Sequence, residues 1–156
     1  MIAAGELAPD FTLPTDTGEP LTLSALRGRP VVLYFYPKDD TSGCTVEACE
    51  FRDLFPRFGT TGATVLGISP DDVKSHVKFK KKYELPFTLL ADVGHTVAER
   101  YDVWHEKSMY GRKYMGVVRT TFVIDAEGRV ARVFEKVTPA GHAAEVAATV
   151  DALSAG

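Results

Sequence analysis

The sequence predicts an α/β protein in which a mixed central β-sheet is flanked by helices on both faces. Short apolar runs typical of buried strands alternate along the chain with longer segments whose apolar residues recur at helical spacing. Of the 156 residues, 45% are hydrophobic and 25% are charged, a composition typical of one globular domain with a substantial core. We therefore expect residues 1–156 to fold as a single domain.

The N-terminal part of the chain predicts a β-hairpin that precedes the central sheet as an extension. Residues 8–13 and 21–23 have the composition of strands, and the Asp-Thr-Gly sequence at residues 16–18 favours a turn between them. Residues 31–36 then form an uninterrupted apolar run that ends before Pro37. This run predicts the first buried strand of the central sheet.

A helix is predicted after this strand, beginning near Cys44. The apolar residues that follow Cys44 recur at steps of four, three, four and three, so they share one helical face with the cysteine. Pro56 interrupts the pattern, and we expect the helix to kink or restart there. The apolar residues of this face are Ala48, Phe51, Phe55 and Phe58.

The middle of the chain continues the alternation of strands and helices. Residues 64–69 and 87–91 predict two further strands. Between them, Pro70-Asp71-Asp72 predicts the cap of a helix that runs to about Tyr83. Residues 95–101 predict a short helix.

The last third of the chain is expected to begin irregularly and to end in two strands and a helix. Residues 102–115 are dense in Trp, Tyr and Met without a clear period, and an irregular stretch is predicted there. Strands are predicted at residues 117–125 and 130–135, with a turn at Glu127-Gly128. Pro139 is expected to open a C-terminal helix. The apolar stripe of that helix consists of Val146, Val150 and Leu153.

The charge and apolar patterns exclude several classes of partner. The net charge is −3, so the lysine-rich run at residues 78–82 is expected to be a solvated helix face rather than a nucleic-acid-binding surface. The longest apolar run, residues 31–36, is far too short to span a bilayer, and the N-terminus lacks the features of a signal peptide. We therefore expect a cytoplasmic protein that binds neither nucleic acid nor a membrane.

The two cysteines are too few for a structural disulfide framework. In a reducing compartment, such a pair is more often catalytic or metal-binding. A zinc site would need two ligands beyond the C-x4-C pair, and the histidines show no paired spacing. We therefore expect no metal and no cofactor. The scattered histidines are His76, His95, His105 and His142.

Cys44 has the strongest indication of reactivity. It is expected at or near a helix N-terminus, where unpaired N–H groups and the helix dipole favour a thiolate. An ordinary cysteine thiol with a pKa of about 8.5 is only roughly 3% ionised at pH 7, and making it mostly ionised takes about 3.4 kcal/mol. Because a helix terminus supplies only about 0.3 to 2 kcal/mol, a second positive group is needed nearby. Arg119 is the best candidate for that group.

Four sequence features together resemble the peroxiredoxins. They are GELAPDFTL near the start, PKDDTSGC with its P-x-x-x-T-x-x-C spacing, Cys49 five residues after Cys44, and WHEKSMYGRKYMGVVRTTFVID. Within that family, their order and spacing resemble the bacterioferritin comigratory protein, or peroxiredoxin Q, subgroup. The resemblance covers essentially the whole chain. It implies a thioredoxin-like fold and a peroxidase activity on hydrogen peroxide and organic hydroperoxides.

The resemblance also implies roles for individual residues. Cys44 would be the peroxidatic cysteine, whose thiolate attacks a hydroperoxide and becomes a sulfenic acid. Thr41 would offer a hydroxyl to the leaving oxygen, Arg119 would lie beside the sulfur, and Pro37 would shape the loop and shield the cysteine from water. Each of these three residues also has a simpler explanation. Thr41 could cap a helix, Arg119 could be an exposed strand-end side chain, and Pro37 could merely end a strand.

Two further sets of residues each keep two interpretations. Glu47, one turn into the predicted helix, either orients Arg119 or faces solvent. Trp104, Met109 and Tyr110 either line the substrate pocket or pack as an ordinary aromatic cluster.

Cys49 is implied to be the resolving cysteine, which attacks the sulfenic acid and forms an intramolecular disulfide. On an intact α-helix, two residues five apart have Cα atoms roughly 8.6 Å apart. A disulfide requires about 4.4 to 6.8 Å. We therefore expect the helix to unwind over roughly residues 41–51 during the cycle, aided by the poor helix formers Gly43 and Thr45. Slow unwinding would leave the sulfenic acid open to overoxidation.

The function implied by the resemblance is that of a thioredoxin-dependent thiol peroxidase that works as a monomer. Its reductant would be thioredoxin or a glutaredoxin-like protein. A second possibility is a redox-controlled chaperone or peroxide sensor, in which oxidation of Cys44 changes conformation with little turnover. A thiol-disulfide oxidoreductase of the thioredoxin type is disfavoured, because that chemistry uses C-x-x-C and here Thr41 occupies the first position.

Overall fold

The structure is a computed structural model that describes the backbone of residues 2–155 and the side chains of residues 2–153. Within these residues the chain forms nine strands, five α-helices and one 3₁₀ helix. The strands are β1 (Thr12–Pro14), β2 (Pro20–Thr22), β3 (Val31–Phe35), β4 (Thr64–Ser69), β5 (Thr88–Ala91), β6 (Trp104–Met109), β7 (Arg112–Val117), β8 (Thr120–Ile124) and β9 (Val130–Phe134). The helices are α1 (Ser42–Asp53), α2 (Phe55–Thr60), α3 (Val73–Tyr83), α4 (Thr96–Arg100) and α5 (His142–Ala155), and the 3₁₀ helix is Leu23–Leu26.

The central sheet has five strands in the order β5-β4-β3-β8-β9. β3, β4 and β5 run parallel, whereas β8 is antiparallel to both β3 and β9. Val32 of β3 is level with Val65 of β4 and with Val123 of β8. Every residue of β3 and β8 is buried, because both faces of these inner strands are covered. The mixed sheet predicted from the alternation of strands and helices is therefore confirmed.

The two faces of the sheet bury two separate apolar clusters. Successive residues of a strand point to opposite faces, so Val32 and Tyr34 belong to one cluster and Leu33 and Phe35 to the other. The first cluster packs against α1, α2, α3 and α5. The second packs against the N-terminal segment, the 3₁₀ helix and α4. Helices therefore cover both faces, as the sequence predicts.

The helix that follows β3 breaks where Pro56 predicts a break. α1 ends at Asp53, and α2 restarts at Phe55 with the proline in its first turn, where a missing N–H leaves no helical hydrogen bond unmade. The predicted inward face is also confirmed. Cys44, Ala48, Phe51 and Phe58 are each at most 1% exposed, whereas Phe55 is half-buried against the same cluster.

The N-terminal hairpin is confirmed as a separate two-stranded sheet, although it is shorter than predicted. β1 and β2 pair over three residues each. Residues 8–11 lie outside β1, and Ala8 and Phe11 are buried in the second cluster. The hairpin attaches to the edge of the central sheet, because the Asp16 carboxylate accepts a hydrogen bond from the backbone N–H of Leu89 at 3.0 Å.

The prediction of an irregular stretch at residues 102–115 is wrong. This region forms the β6–β7 hairpin, with six residue pairs in register from Trp104↔Val117 to Met109↔Arg112. Tyr110 and Gly111 form its turn, and both have positive φ, 52° and 78°, as a two-residue hairpin turn requires. The hairpin escaped prediction because most of its side chains are exposed on both faces, so no apolar alternation marks it.

The strand predicted at residues 117–125 is divided in two. Val117 ends β7 and β8 begins at Thr120, so Arg119 lies in the connection between them.

The C-terminal helix begins at His142, three residues after Pro139. Val146 and Val150 are fully buried against the sheet, as the predicted stripe requires. Among the described helices, the longest has 14 residues, and none is long and apolar enough to cross a membrane.

Candidate active site

The candidate site forms where the loop after β3 enters α1. Cys44 is the third residue of α1 and is 1% exposed. The first intrahelical acceptor is the carbonyl of Thr41, which the N–H of Thr45 reaches at 2.8 Å. The N–H groups of residues 42–44 therefore belong to the open end of the helix, where the positive end of the dipole stabilises a negative charge. The structure thus places the sulfur at a helix N-terminus, as the sequence predicts.

Arg119 lies directly beside this sulfur. Its Nη2 donates to Cys44 Sγ at 3.2 Å, and its Nη1 donates to Glu47 Oε1 at 2.7 Å. Only 14% of the arginine side chain is exposed. Burial alone would lower the pKa of Arg119, but the charges of Glu47 and Cys44 outweigh burial and raise it, so the guanidinium stays charged. The simpler explanation of Arg119 as an exposed surface side chain is therefore wrong.

Sheet topology explains why these two residues, 75 positions apart, come together. Because β8 is antiparallel to β3, the first residue of β8, Thr120, is level with the last residue of β3, Phe35. Arg119 therefore lies at the same end of the sheet as the loop that leads to Cys44. Sequence spacing alone does not contain this register.

The structure decides between the two interpretations of Glu47, which were that it orients Arg119 or that it faces solvent. Its side chain is fully buried and holds Arg119, so it does not face solvent. Burial raises the pKa of Glu47 to about 7, against the opposing effect of the Arg119 guanidinium. Its second oxygen, Oε2, has no hydrogen-bond donor among the residues that the structure describes. The carboxyl group therefore titrates close to neutral pH inside the site.

Thr41 and Pro37 occupy the loop that precedes the helix. Thr41 is the N-cap residue of α1, but its hydroxyl donates to the carbonyl of Lys38 at 2.9 Å instead of capping the helix. The hydroxyl proton is thus already engaged, so in this conformation Thr41 does not donate to a leaving oxygen as the resemblance implied, and its oxygen remains an acceptor. Pro37 is half-buried and follows the last ladder hydrogen bond, from the N–H of Tyr36 to Ile68 at 3.0 Å.

Cys49 lies on the same unbroken helix as Cys44. Both thiols are free, and Cys49 is half-buried. On a continuous helix, their Cα atoms are separated by roughly 8.6 Å, outside the range that a disulfide spans. The described conformation therefore places the Cys44 sulfur beside Arg119 and keeps Cys49 out of its reach.

Gly43 has a role that the sequence did not indicate. A Cβ atom at this position would lie 3.2 Å from Arg119 Nη2 and 3.4 Å from Pro139 Cγ. The absent side chain therefore leaves room for the guanidinium beside the sulfur. The expectation that Gly43 simply weakens the helix describes only part of its effect.

Lys107 is a second cation near the site that sequence reasoning missed. Its ammonium donates to the carbonyl of Val117 at 3.0 Å. Burial lowers the pKa of Lys107, the charge of Arg119 lowers it further, and the charge of Cys44 partly opposes both. Lys107 lies on β6, in the hairpin that the sequence analysis did not predict, and for that reason the lysine was missed.

The three remaining candidates lie on the β6–β7 hairpin. Tyr110 is 98% exposed at the hairpin turn, and Met109 beside it is 57% exposed. Trp104 is half-buried, and its ring stacks on His95 with centroids 4.0 Å apart. Trp104 also packs against the second apolar cluster, so the packing interpretation is confirmed for this residue. Tyr110 is almost fully exposed, so it neither lines a pocket nor packs.

These residues place the Arg119 guanidinium and the open N-terminal end of α1 beside a buried sulfur. The guanidinium offers N–H donors to the sulfur and to an oxygen that gains negative charge. The AhpC/TSA family model matches residues 4–133, which is most of the chain and includes Cys44, Cys49 and Arg119. The chain belongs to the AhpC/TSA family. As a peroxiredoxin it is a thiol-dependent peroxidase.

Individual relatives agree with this assignment. A Coxiella burnetii protein named as a Bcp peroxiredoxin is 57% identical over 145 residues, which cover 93% of this chain and 96% of the relative. Peroxiredoxin Bcp of Bacillus subtilis is 48% identical over 153 residues and covers 98% of both chains. The solved structure of Xanthomonas campestris bacterioferritin comigratory protein matches this peroxiredoxin with a TM-score of 0.91 at 40% identity, over 97% of this chain and 99% of that chain. The thioredoxin-like fold implied by the sequence resemblance is confirmed.

Proposed function

We propose that this peroxiredoxin reduces hydrogen peroxide and organic hydroperoxides with Cys44 as the attacking residue and Cys49 as the resolving residue. The observation that carries the proposal is the 3.2 Å contact between Arg119 Nη2 and Cys44 Sγ at the N-terminus of α1. The Xanthomonas campestris relative offers further support, because its structure was described together with its alkyl peroxide reduction activity.

In the first step, the Cys44 thiolate attacks the terminal oxygen of the hydroperoxide. An S–O bond forms while the O–O bond breaks, and the sulfur is oxidised by two electrons to a sulfenic acid. The departing oxygen takes up a proton and leaves as water or as an alcohol. Arg119 donates to the oxygen that gains charge, and the Thr41 oxygen accepts from the O–H of the bound hydroperoxide. Pro37 shapes the loop and limits access of water.

In the second step, the Cys49 thiolate attacks the sulfenic sulfur of Cys44. An S–S bond forms while the S–O bond of the sulfenic acid breaks, and the oxygen takes up a proton and leaves as water. The two-electron oxidation of Cys44 is then shared between the two sulfurs of the disulfide. The step requires α1 to unwind over roughly residues 41–51. Unwinding breaks the contacts of Glu47 with Arg119 and of Glu50 Oε1 with the N–H of Gly141, which are 2.7 and 2.8 Å long.

In the third step, a dithiol protein reduces the Cys44–Cys49 disulfide and is itself oxidised. We propose thioredoxin or a glutaredoxin-like protein as this reductant, a monomer as the working form and the cytoplasm as the location. A reducing compartment suits the mechanism because both thiols must be regenerated in each cycle. No metal or other cofactor takes part in these steps.

A coupled assay tests the proposal. With thioredoxin, thioredoxin reductase and NADPH, we expect peroxide-dependent NADPH consumption by the native protein and none by Cys44→Ser. Cys49→Ser is expected to stop after about one turnover with thioredoxin as the reductant. If the native protein consumed no NADPH with thioredoxin or with glutaredoxin, although its Cys44 became oxidised, a peroxide sensor or redox-controlled chaperone would replace the proposed enzyme.

A further inference from the structure

We propose that Asp39 and His76 are positioning residues for peroxide attack, and that their buried contact anchors the active-site loop, residues 37–41, to helix α3. This inference rests on the proposed role of Cys44. It assigns a function to α3, which contributes no residue to the site itself.

Asp39 is the centre of a buried hydrogen-bond network. Its Oδ1 accepts from the hydroxyl of Tyr36 at 2.6 Å. Its Oδ2 accepts from Ser75 Oγ at 2.8 Å and contacts His76 Nδ1 at 2.7 Å. Its backbone N–H donates to Asp71 Oδ2 at 2.8 Å. The carboxylate and the backbone of one loop residue are therefore both attached to α3 or to the turn that precedes it.

His76 is charged in this arrangement. Its side chain is fully buried, and its Nε2 lies 2.8 Å from the carbonyl of Leu90, which can only accept. Nε2 therefore carries a proton, and Nδ1 needs a second one because it faces the Asp39 carboxylate. Burial lowers the pKa of His76, but the hydrogen bond and charge of Asp39 outweigh burial, and Asp71 adds to the increase.

The groups around His76 leave Asp39 as its main partner. Tyr36 approaches from the end of β3, with a ring centroid 6.4 Å from the imidazole. Lys80, one turn further along α3, directs its ammonium to Asp16 at 2.9 Å. The pair is thus a buried ion pair, and removing one partner leaves an uncompensated charge in the core.

Asp40, the next residue of the loop, attaches to the other end of α3. It adopts φ of 55°, a left-handed conformation that costs a side-chain-bearing residue free energy. Its carboxylate accepts from Lys82 Nζ at 2.7 Å and from the hydroxyl of Tyr83 at 2.8 Å. Thr41, the N-cap of α1, follows directly. The loop is therefore held along the length of α3 immediately before the catalytic helix begins.

The buried contact at Asp39 is the stronger of the two. Lys82 and Asp40 are both exposed, and exposed ion pairs contribute little. The Asp39 and His76 side chains are 3% and 0% exposed. Loss of this pair is therefore expected to move the loop, whereas loss of the Lys82 contact is not.

The same cluster could be mistaken for a metal site. One ligand atom each from Asp39, Asp71 and His76 lie within 4.8 Å of one another. However, His76 Nδ1, both Asp39 oxygens and Asp71 Oδ2 already take part in the hydrogen bonds described above. We infer a saturated hydrogen-bond network, and expect peroxidase activity to be unchanged by EDTA. Loss of activity in EDTA that Zn²⁺ restores would overturn the inference.

The contact between Asp39 and His76 is expected to affect peroxide attack and disulfide formation differently, because of where Asp39 lies in the chain. Asp39 lies on the N-terminal side of residues 41–51, the segment expected to unwind. Peroxide attack needs the loop and the first turn of α1 in order, whereas disulfide formation needs that turn to open. Weakening the anchor is therefore expected to slow attack while leaving disulfide formation unchanged or faster.

Two replacements of His76 test the contact with Asp39. The amide nitrogen of Asn occupies approximately the place of Nδ1 and can still donate to Asp39, whereas that of Gln replaces Nε2 and reaches only Leu90. We expect His76→Gln to lower the second-order rate constant of peroxide attack by about tenfold or more, and His76→Asn to lower it by about threefold at most. Stopped-flow measurement of Cys44 oxidation and of disulfide formation separates the two steps.

Asp72→Ala is the matched control in the same helix. It removes the N-cap hydrogen bond from the Ser75 N–H, 2.8 Å long, without a contact to the loop. We expect a lower melting temperature and unchanged rate constants for both steps. Should His76→Gln not fold, Ser75→Ala removes one donor to Asp39 and is expected to slow attack about threefold.

Two outcomes would overturn the inference. One is wild-type attack by a folded His76→Gln protein. The other is an equal loss in both steps for His76→Gln, His76→Asn and Asp72→Ala, which would indicate general destabilisation only. Failure of the proposed function is distinguishable from either, because wild-type protein would then lack peroxidase activity from the start.

Discussion

At the scale of single residues, Arg119 connects the sulfur of Cys44 to the carboxyl group of Glu47. One nitrogen of its guanidinium donates to the Cys44 sulfur and another donates to Glu47. The fully buried carboxyl group of Glu47 thus fixes the orientation of the arginine. The arginine in turn adds a full positive charge to the partial one that the helix N-terminus supplies. A planar fork with several fixed donors suits this double task, whereas a flexible ammonium does not.

Replacing Arg119 with lysine tests that geometry. Arg119→Lys keeps the charge but cannot hold Glu47 and the sulfur at fixed angles, so we expect the second-order rate constant with hydrogen peroxide to fall about 100-fold. Stopped-flow kinetics measure this constant. Arg112→Lys, at an exposed arginine of β7, is the matched control and is expected to keep the wild-type value. An unchanged constant in Arg119→Lys would show that charge alone suffices.

The raised pKa of Glu47 predicts a pH-dependent stability. Its folded value of about 7 lies above the ordinary 4.5, so the folded protein binds this proton more tightly than the unfolded chain. The resulting stability is complete below pH 4.5 and is lost as pH rises through about 7. The loss amounts to roughly 3 kcal/mol at most.

Urea unfolding of wild type and of Glu47→Gln at pH 5 and pH 8 measures this effect. The free energy of unfolding of wild type minus that of the variant is expected to decrease between the two values, because Gln cannot titrate and other groups cancel in the difference. A difference that stays constant or grows with pH would contradict a raised pKa for Glu47.

At the scale of elements, the proposed mechanism places two opposed requirements on α1. Peroxide attack uses the ordered first turn, with the sulfur held beside Arg119. Disulfide formation uses an unwound helix, because an intact one keeps the two cysteines too far apart. The helix is fastened to its surroundings by side chains along its length, including Arg52, whose Nη1 donates to the carbonyl of Tyr83 at 2.8 Å. The strength of these contacts sets how readily α1 opens.

The variant Gly43→Ala tests both requirements, the ordered first turn and the unwinding of α1. Gly43→Ala should stabilise the helix by about 1 kcal/mol through propensity, yet its Cβ would meet Arg119 Nη2 at 3.2 Å. We expect peroxide attack to slow about tenfold and disulfide formation to slow about fivefold. Both constants come from stopped-flow kinetics.

Gly59→Ala is the matched control, because Gly59 also lies within a helix, α2, but has open space where the Cβ would be. It is expected to raise the melting temperature without changing either rate constant. Wild-type attack by Gly43→Ala would mean that Arg119 tolerates the added methyl group.

At the scale of the whole molecule, the order of strands assembles the site from distant parts of the chain. The antiparallel pairing of β8 with β3 brings residue 119 to the end of the sheet where α1 begins. Both cysteines lie on one helix of one chain, so the proposed disulfide needs no second subunit.

Intramolecular resolution predicts a first-order step that does not depend on protein concentration. After one equivalent of peroxide, we expect the same rate constant for disulfide formation over a roughly 100-fold range of protein concentration. Cys49→Ser is the comparison, since any disulfide it forms must join two chains and must form faster at higher concentration. A concentration-dependent constant for the wild type would place resolution between subunits.

Local sequence determined those features that depend on neighbouring residues. The apolar run of β3, the helical spacing after Cys44 and the break at Pro56 follow from periodicity and from a missing N–H, both of which act within a few residues. The position of Cys44 at a helix N-terminus follows for the same reason. The motif spacing around Cys44 and Arg119 also led to the family, which the comparisons confirm.

Only the tertiary structure decided how distant residues meet. The direction of Glu47, the space kept by Gly43 and the anchoring of Asp39 by His76 are contacts across 72, 76 and 37 positions, respectively. They depend on sheet register and on helix placement, which no local pattern encodes. The lysine-rich run at residues 78–82 is an example. The sequence predicted only a solvated helix face there, and the structure shows that the exposed Lys82 binds Asp40 in the active-site loop. Sequence spacing indicated Cys44 as the proposed reactive cysteine, whereas the fold determined which side chains surround it.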